Sequence, residues 1–86
     1  MPKNYLVEAR QRAEKIQYYY DHAGPTGYDQ ALYFYGELGE CYSKCAEKDP
    51  SLAGVIHELY LEAGKKMAEM KRRKEEYFGD NSSPDH

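Results

Sequence analysis

Residues 27–45 read Gly-Tyr-Asp-Gln-Ala-Leu-Tyr-Phe-Tyr-Gly-Glu-Leu-Gly-Glu-Cys-Tyr-Ser-Lys-Cys, and this stretch decides the fold. Tyr28, Ala31, Tyr35, Leu38, Tyr42 and Cys45 recur at alternating spacings of three and four. That spacing sets six side chains along one stripe of a single helix. The stripe is rich in Tyr and small residues. Each Tyr brings a large apolar ring and a hydroxyl that needs water or a partner. Such a stripe suits a thin bundle whose core lies close to solvent.

Two further helices follow from the punctuation on either side. Upstream, Asn4 is placed to cap a helix over residues 4–23, which Gly24-Pro25 ends. Its stripe is Leu6, Ala9, Ala13, Ile16 and Tyr20, widened by Val7 and Tyr19. The central helix is expected to start at Thr26, with Thr26 and Asp29 in the capping-box relation, and to end near Lys48. Downstream, Asp49-Pro50 reads as a cap followed by proline at the first helical position. The third helix then covers residues 50–78 and stops at Gly79. Leu52, Val55, Ile56, Leu59, Tyr60, Ala63, Gly64, Met67 and Met70 form its apolar face. The basic run Lys71-Arg72-Arg73-Lys74 is expected to project beyond the bundle. Short connections between three helices give an all-α, three-helix, antiparallel up-down-up bundle over residues 1–79. Residues 80–86 read as a disordered tail or linker.

Charge and composition narrow the function classes. The chain has 86 residues and a net charge of −3, room for one small domain. The charge is uneven: residues 27–50 hold five acids against two bases, and residues 51–78 hold six bases against five acids. An acidic middle helix beside a basic third one favours their antiparallel pairing. No continuous basic face arises, so nucleic acid is not expected as a partner. No apolar run is long enough to span a bilayer, and the first residues lack a secretory signal. The expectation is a cytoplasmic protein, or a cytosolic domain of a longer one, with at most peripheral membrane contact.

No catalytic constellation, cofactor motif or metal site is expected. Cys41 and Cys45 lie four apart on one helix and read as buried, reduced thiols. The histidines His22, His57 and His86 have no finger spacing to them. His57 reads as a lone surface histidine. The consecutive rings Tyr18, Tyr19 and Tyr20 turn about 100° per residue, so at least one must be exposed.

The glycines inside helices are more telling. Gly36, Gly39 and Gly64 each cost roughly 1 kcal/mol relative to Ala. Either helices approach closely there, or the glycines floor a shallow groove in which a partner helix lies near the backbone. Leu32, Gly36, Gly39 and Ser43 are the groove candidates on helix two. Gly64, Lys65, Ala68 and Arg72 are the candidates on helix three, with Lys65 and Arg72 attracting acidic residues of an incoming segment.

The run Gly27-Tyr28-Asp29-Gln30-Ala31-Leu32, followed by Tyr35, resembles the second helix of MIT (microtubule-interacting and trafficking) domains. Leu38, Tyr42 and Cys45 fall on the further small or apolar positions. Ala63, Met67, Met70 and Lys71 resemble the third helix, and Ala9, Ala13 and Ile16 match the first loosely. The first loop, Gly24-Pro25-Thr26-Gly27, is a residue or two longer than the pattern, and the Tyr triplet is not part of it. The stripes and caps lead us to expect a monomer, and the lack of a catalytic constellation a non-enzymatic adaptor; the resemblance implies endosomal association. Its ligands would be C-terminal tails of ESCRT-III-type proteins. The competing readings are a helical module that self-associates through its Tyr and Gly faces, an accessory domain of an enzyme, and contact with tubulin tails or a membrane surface through the basic third helix.

Overall fold

The computed structural model describes residues 4–78. The expected stop at Gly79 and the tail at residues 80–86 lie outside the described residues. Three α-helices pack against one another: α1 (Tyr5–His22), α2 (Tyr28–Lys48) and α3 (Pro50–Phe78). A 3₁₀ turn, Gly24–Gly27, joins the first two. Among the described residues there is no strand. The chain is all-α.

The ends of α1 form where the sequence punctuates it. The Asn4 side chain accepts a hydrogen bond from the Val7 N–H at 3.1 Å, satisfying one of the donors a helix N-terminus leaves free. At the other end Gly24 adopts φ 58°, a left-handed conformation that a Cβ would strain.

The expected capping box at Thr26 and Asp29 does not form. The backbone is already helical through the 3₁₀ turn, and Gly27 occupies the cap position without a side-chain hydrogen bond. The Thr26 hydroxyl donates instead to the Ala23 carbonyl at 2.9 Å. Asp29 is left to pair with Lys74 of α3 at 3.3 Å. Pro50 opens α3 as expected. Asp49 ends α2 through its N–H, which donates to the Cys45 carbonyl at 2.7 Å, while its carboxylate accepts from the Ser51 hydroxyl at 2.6 Å.

The core is a narrow column: Ala9 and Ile16 from α1; Ala31, Leu38, Cys41 and Cys45 from α2; Ile56, Ala63, Met67 and Met70 from α3. Tyr28, Tyr35 and Tyr42 complete the α2 stripe, half-buried at its edges. Neither cysteine is in a disulfide. Cys41 donates through Sγ to the Tyr5 carbonyl at 3.2 Å, and Cys45 to the Asp49 carbonyl at 3.3 Å. Burial, with Asp49 nearby, raises the Cys45 pKa, which favours the protonated thiol.

Two expected features of α3 differ. Val55 is exposed, because the inward stripe runs through Ile56, Ala63, Met67 and Met70 and leaves position 55 on its flank. The basic run does not project free. Arg73 lies over the Tyr20 ring, 4.5 Å from its centroid, and donates to the Tyr20 carbonyl at 3.3 Å. Lys74 lies 5.3 Å from the Tyr28 ring centroid and pairs with Asp29. These cations close the end of the column where α1 gives way to the 3₁₀ turn. They satisfy a helix-end carbonyl and cover aromatic faces at once.

Gly27 and Gly36 carry opposite expectations. Gly27 is buried, and a Cβ on it would stand 2.5 Å from the Ala23 Cβ. Gly27→Ala should therefore destabilise the fold by about 1–3 kcal/mol, the usual range for overpacking. A Cβ on Gly36 would meet nothing within 4 Å. Gly36→Ala should stabilise by about 0.5–1 kcal/mol through helix propensity. Chemical denaturation of the two variants beside the parent checks both signs.

Candidate functional site

The α2–α3 seam is built by rings from alternate helices. His57, Tyr42, Tyr60 and Tyr35 follow one another across it. Centroids are 5.3, 6.5 and 4.6 Å apart, and the Tyr42–Tyr60 and Tyr60–Tyr35 planes lie within 11° and 4° of parallel. Two of the helical glycines make this possible. A Cβ on Gly39 would come within 3.1 Å of the Tyr60 ring, and one on Gly64 within 3.1 Å of the Tyr35 hydroxyl. At these two positions the close-approach reading holds: the space above the backbone is taken by the protein's own tyrosines.

Gly36 differs. It is exposed and nothing stands over it. Gly36, Gly39 and Ser43 line an open hollow of about 510 Å³ with Glu40, Lys44 and Tyr60. Three of the four α2 candidates thus come together. Leu32 is exposed one turn before Gly36, on the same side of α2. The α3 candidates do not line this hollow. Gly64 is covered by Tyr35, and Lys65 and Ala68 are exposed. Lys65 pairs loosely with Glu62 at 3.5 Å. Arg72 is held by both Glu69 and Glu76, which hold the guanidinium on its own helix rather than free for a ligand. The same arrangement keeps the Glu69 carboxyl below its usual pKa, chiefly through the hydrogen bond from Arg72.

Sequence reasoning missed one residue of this region. Tyr60 forms one wall of the hollow, although its place on the apolar face pointed to the core. The signal for Tyr60 was available as Gly39, a glycine that makes sense only if something large crosses to it.

Two other faces carry hollows. One, of about 290 Å³, lies between α1 and α3 over Ala13, Leu59 and Ala63, rimmed by Arg10, Glu14, Gln17, Glu62 and Lys66. The other holds Tyr18 and Tyr19. These rings lie beside Phe34 of α2, because Ile16 and Tyr20 take the inward positions and turn Tyr18 and Tyr19 to the α2 flank.

Among the described residues no cluster of three or more His, Cys, Asp or Glu is placed to hold a metal ion. No helix there is long and apolar enough to cross a membrane. His57 is exposed and its ring lies against Tyr42. Comparison of the chain with protein-family models, curated proteins and solved structures returns no match.

The seam gives a pH expectation. Burial first, and the hydrogen bond with Tyr60 second, push the Tyr35 pKa from 10.0 up to about 12. A raised pKa means that the folded state favours the protonated phenol. That contribution is complete below pH 10, the unfolded value, and is lost as pH climbs toward 12. Stability should therefore fall across this window. Tyr35→Phe, which keeps the ring and removes the proton, should flatten part of the fall in thermal melts at stepped pH. An identical profile in parent and variant would show that Tyr35 does not titrate there.

Proposed function

We propose that this chain is a non-enzymatic protein-interaction module of MIT type: a monomeric, cytoplasmic, antiparallel up-down-up bundle that takes the tail of an ESCRT-III-type partner along α2. The contact register supports the topology. Tyr5, Arg12 and Tyr19 of α1 meet Cys41, Glu37 and Phe34 of α2 in falling order. Asp29, Tyr35 and Tyr42 of α2 meet Lys74, Tyr60 and His57 of α3, again in falling order.

The observation that carries the functional reading is the open backbone at Gly36. A helix with a small floor and no side chain above it lets a second helix lie close, gaining dispersion contacts along its length. Leu32 supplies apolar surface at one end of that floor, Lys44 lines the hollow as an exposed cation, and Lys65 is exposed on α3. The incoming tail would be amphipathic, with an apolar face over Leu32 and Gly36 and acids toward the lysines. Binding of one such tail should be weak, about micromolar or weaker, because the floor is short and the peptide must be ordered.

The test is a peptide titration with an amphipathic tail of ESCRT-III type. Gly36→Leu fills the hollow without touching the core, so helicity and melting temperature should hold while affinity falls by about tenfold, the value of roughly 1.4 kcal/mol. Lys65→Glu should weaken binding less, and only at low salt, because an exposed charge is screened over about 8–10 Å near physiological ionic strength. Unchanged affinity in Gly36→Leu would remove the site from this face. A mass that rises with protein concentration would favour self-association instead.

A further inference from the structure

Two cations near the end of α3 fasten that helix to the other half of the bundle. Arg73 donates to the Tyr20 carbonyl at 3.3 Å, lies 4.5 Å from the Tyr20 ring centroid and pairs with Glu69 at 3.2 Å. Lys74 pairs with Asp29 at 3.3 Å and lies 5.3 Å from the Tyr28 ring centroid. Tyr77 follows Arg73 by four positions and Lys74 by three, so its side chain shares a helix face with both. Tyr77 is 69 % accessible, the largest value among the exposed large apolar and aromatic side chains. Its ring lies against Phe78, centroid to centroid 4.7 Å, and Phe78 is exposed as well.

We propose that Tyr77 is a phosphorylation site for a tyrosine kinase, and that its phosphate unfastens the end of α3 from Tyr20 and Asp29. In the transfer the Tyr77 phenol oxygen attacks the γ-phosphorus of Mg-ATP. An O–P bond forms, the bond from that phosphorus to the bridging oxygen breaks, ADP leaves, and the phenolic proton passes to the kinase's catalytic carboxylate.

Three observations select Tyr77 from the 10 tyrosines of the chain. The first is position. A kinase takes its acceptor residue in an extended segment, so the helix around that residue must open. Helix ends open at little cost, whereas the middle of a packed helix opens only with much of the fold. Tyr77 is the last residue but one of α3. Residues 75–78 are all exposed, so this turn unwinds without uncovering the core. The second is competition from other rings. Tyr18 and Tyr33 are also well exposed, but each lies a turn or more inside its helix, Tyr18 against Tyr19 and His22, Tyr33 against Phe34. The third is charge. Glu75 and Glu76 stand directly before Tyr77, and the charge pattern around the acceptor is one means by which kinases discriminate their substrates.

The consequence follows from what the phosphate faces. A phosphotyrosine carries about −1.5 to −2 charges at pH 7 and three strong acceptor oxygens. One turn from Arg73 and Lys74, it competes for both cations. Its rivals for Arg73 are Glu69, a neutral carbonyl and a ring face. Its rival for Lys74 is Asp29, whose side chain is 77 % exposed, and ion pairs of that kind are weak. Glu75, Glu76 and the negative end of the helix dipole repel the new charge and loosen the last turn. Both effects act in one direction, away from the 3₁₀ turn and toward exposed faces of Tyr20 and Tyr28.

The test is to incubate the 86-residue chain with Mg-ATP and each of a panel of tyrosine kinases that accept acidic flanks, and to map the products by tandem mass spectrometry. Tyr77 should take the phosphate ahead of Tyr18 and Tyr33. Tyr77→Phe alters an exposed side chain, so it should keep the fold and lose that incorporation. In the chain phosphorylated at Tyr77, NMR should show shifted amide signals and faster hydrogen exchange at Tyr20, Tyr28 and Asp29, with residues 45–56 unmoved. Arg73→Ala should shift the Tyr20 signal without any phosphate. Faster labelling of Tyr18 or Tyr33 than of Tyr77, or no label on Tyr77 with any kinase of the panel, overturns the site. A phosphate on Tyr77 that leaves residues 20–29 unmoved overturns the unfastening.

Discussion

The stacking of Tyr35 on Tyr60, each seated over a glycine of the other's helix, is the constraint on which the α2–α3 half of the bundle depends. The rings are parallel within 4° at 4.6 Å, with Gly64 beneath the Tyr35 hydroxyl and Gly39 beneath Tyr60. Neither contact has room for a larger side chain at the glycine without a ring shifting. Register along the seam is thus fixed by size: the two large residues can meet the two smallest ones in one alignment only. Tyr42 and His57 extend the same stack by one step each, so the alignment holds over several turns. Helical glycine costs roughly 1 kcal/mol against Ala. Here that cost is offset by apolar ring area removed from water and by a stacking geometry that adds about 0.5–1.5 kcal/mol for such pairs.

The rest of the column follows from how little of it is fully buried. The largest side chains with essentially no exposure are Ile16, Leu38, Ile56, Met70 and Cys45. A core of that size stabilises a domain only marginally. Tyrosine widens it without creating unmet polar groups, since each ring can bury its body and keep its hydroxyl at the boundary. Among the described residues no buried side-chain nitrogen or oxygen lacks a partner. Arg73 and Lys74 do the same from the outside, covering Tyr20 and Tyr28 with cations whose stems add apolar contact. A thin bundle edged with aromatics necessarily leaves some of them on its surface.

What could be read from the sequence is what depends on neighbours in the chain. The Asn4 cap, the left-handed Gly24, Pro50 at the start of α3 and the inward positions of the three apolar stripes are all local, and they stand where spacing put them, whereas Val7 and Val55, at the stripes' margins, are exposed. The failures are non-local. Thr26 had two possible partners, and the choice turned on whether the loop before it coils into a 3₁₀ turn. The basic run near residue 73 looked free because its partners, the Tyr20 carbonyl and Asp29, lie 53 and 45 residues away. Gly36 and Gly39 look alike in sequence. They differ because a ring from α3 reaches one and not the other, and only the tertiary register decides that. The candidate site was legible for the same reason and to the same extent: its α2 half, on one helix, assembles around Gly36, whereas the α3 half depended on how two helices mesh.

The two faces of α2 therefore present different chemistry. Toward α3 the helix has a low, open stretch along its own axis, with Leu32, Gly36 and Ser43 on one side and no upright ring until Tyr60. Toward α1 the same helix contributes Tyr33 and Phe34 to an aromatic row with Tyr18 and Tyr19. A ligand lying along a helix gains by matching its ridge pattern and must itself be helical over several turns. Ala31, Leu38 and Cys45 of the same helix are fully buried in the core, so the side that carries Gly36 is held in place by the packing behind it.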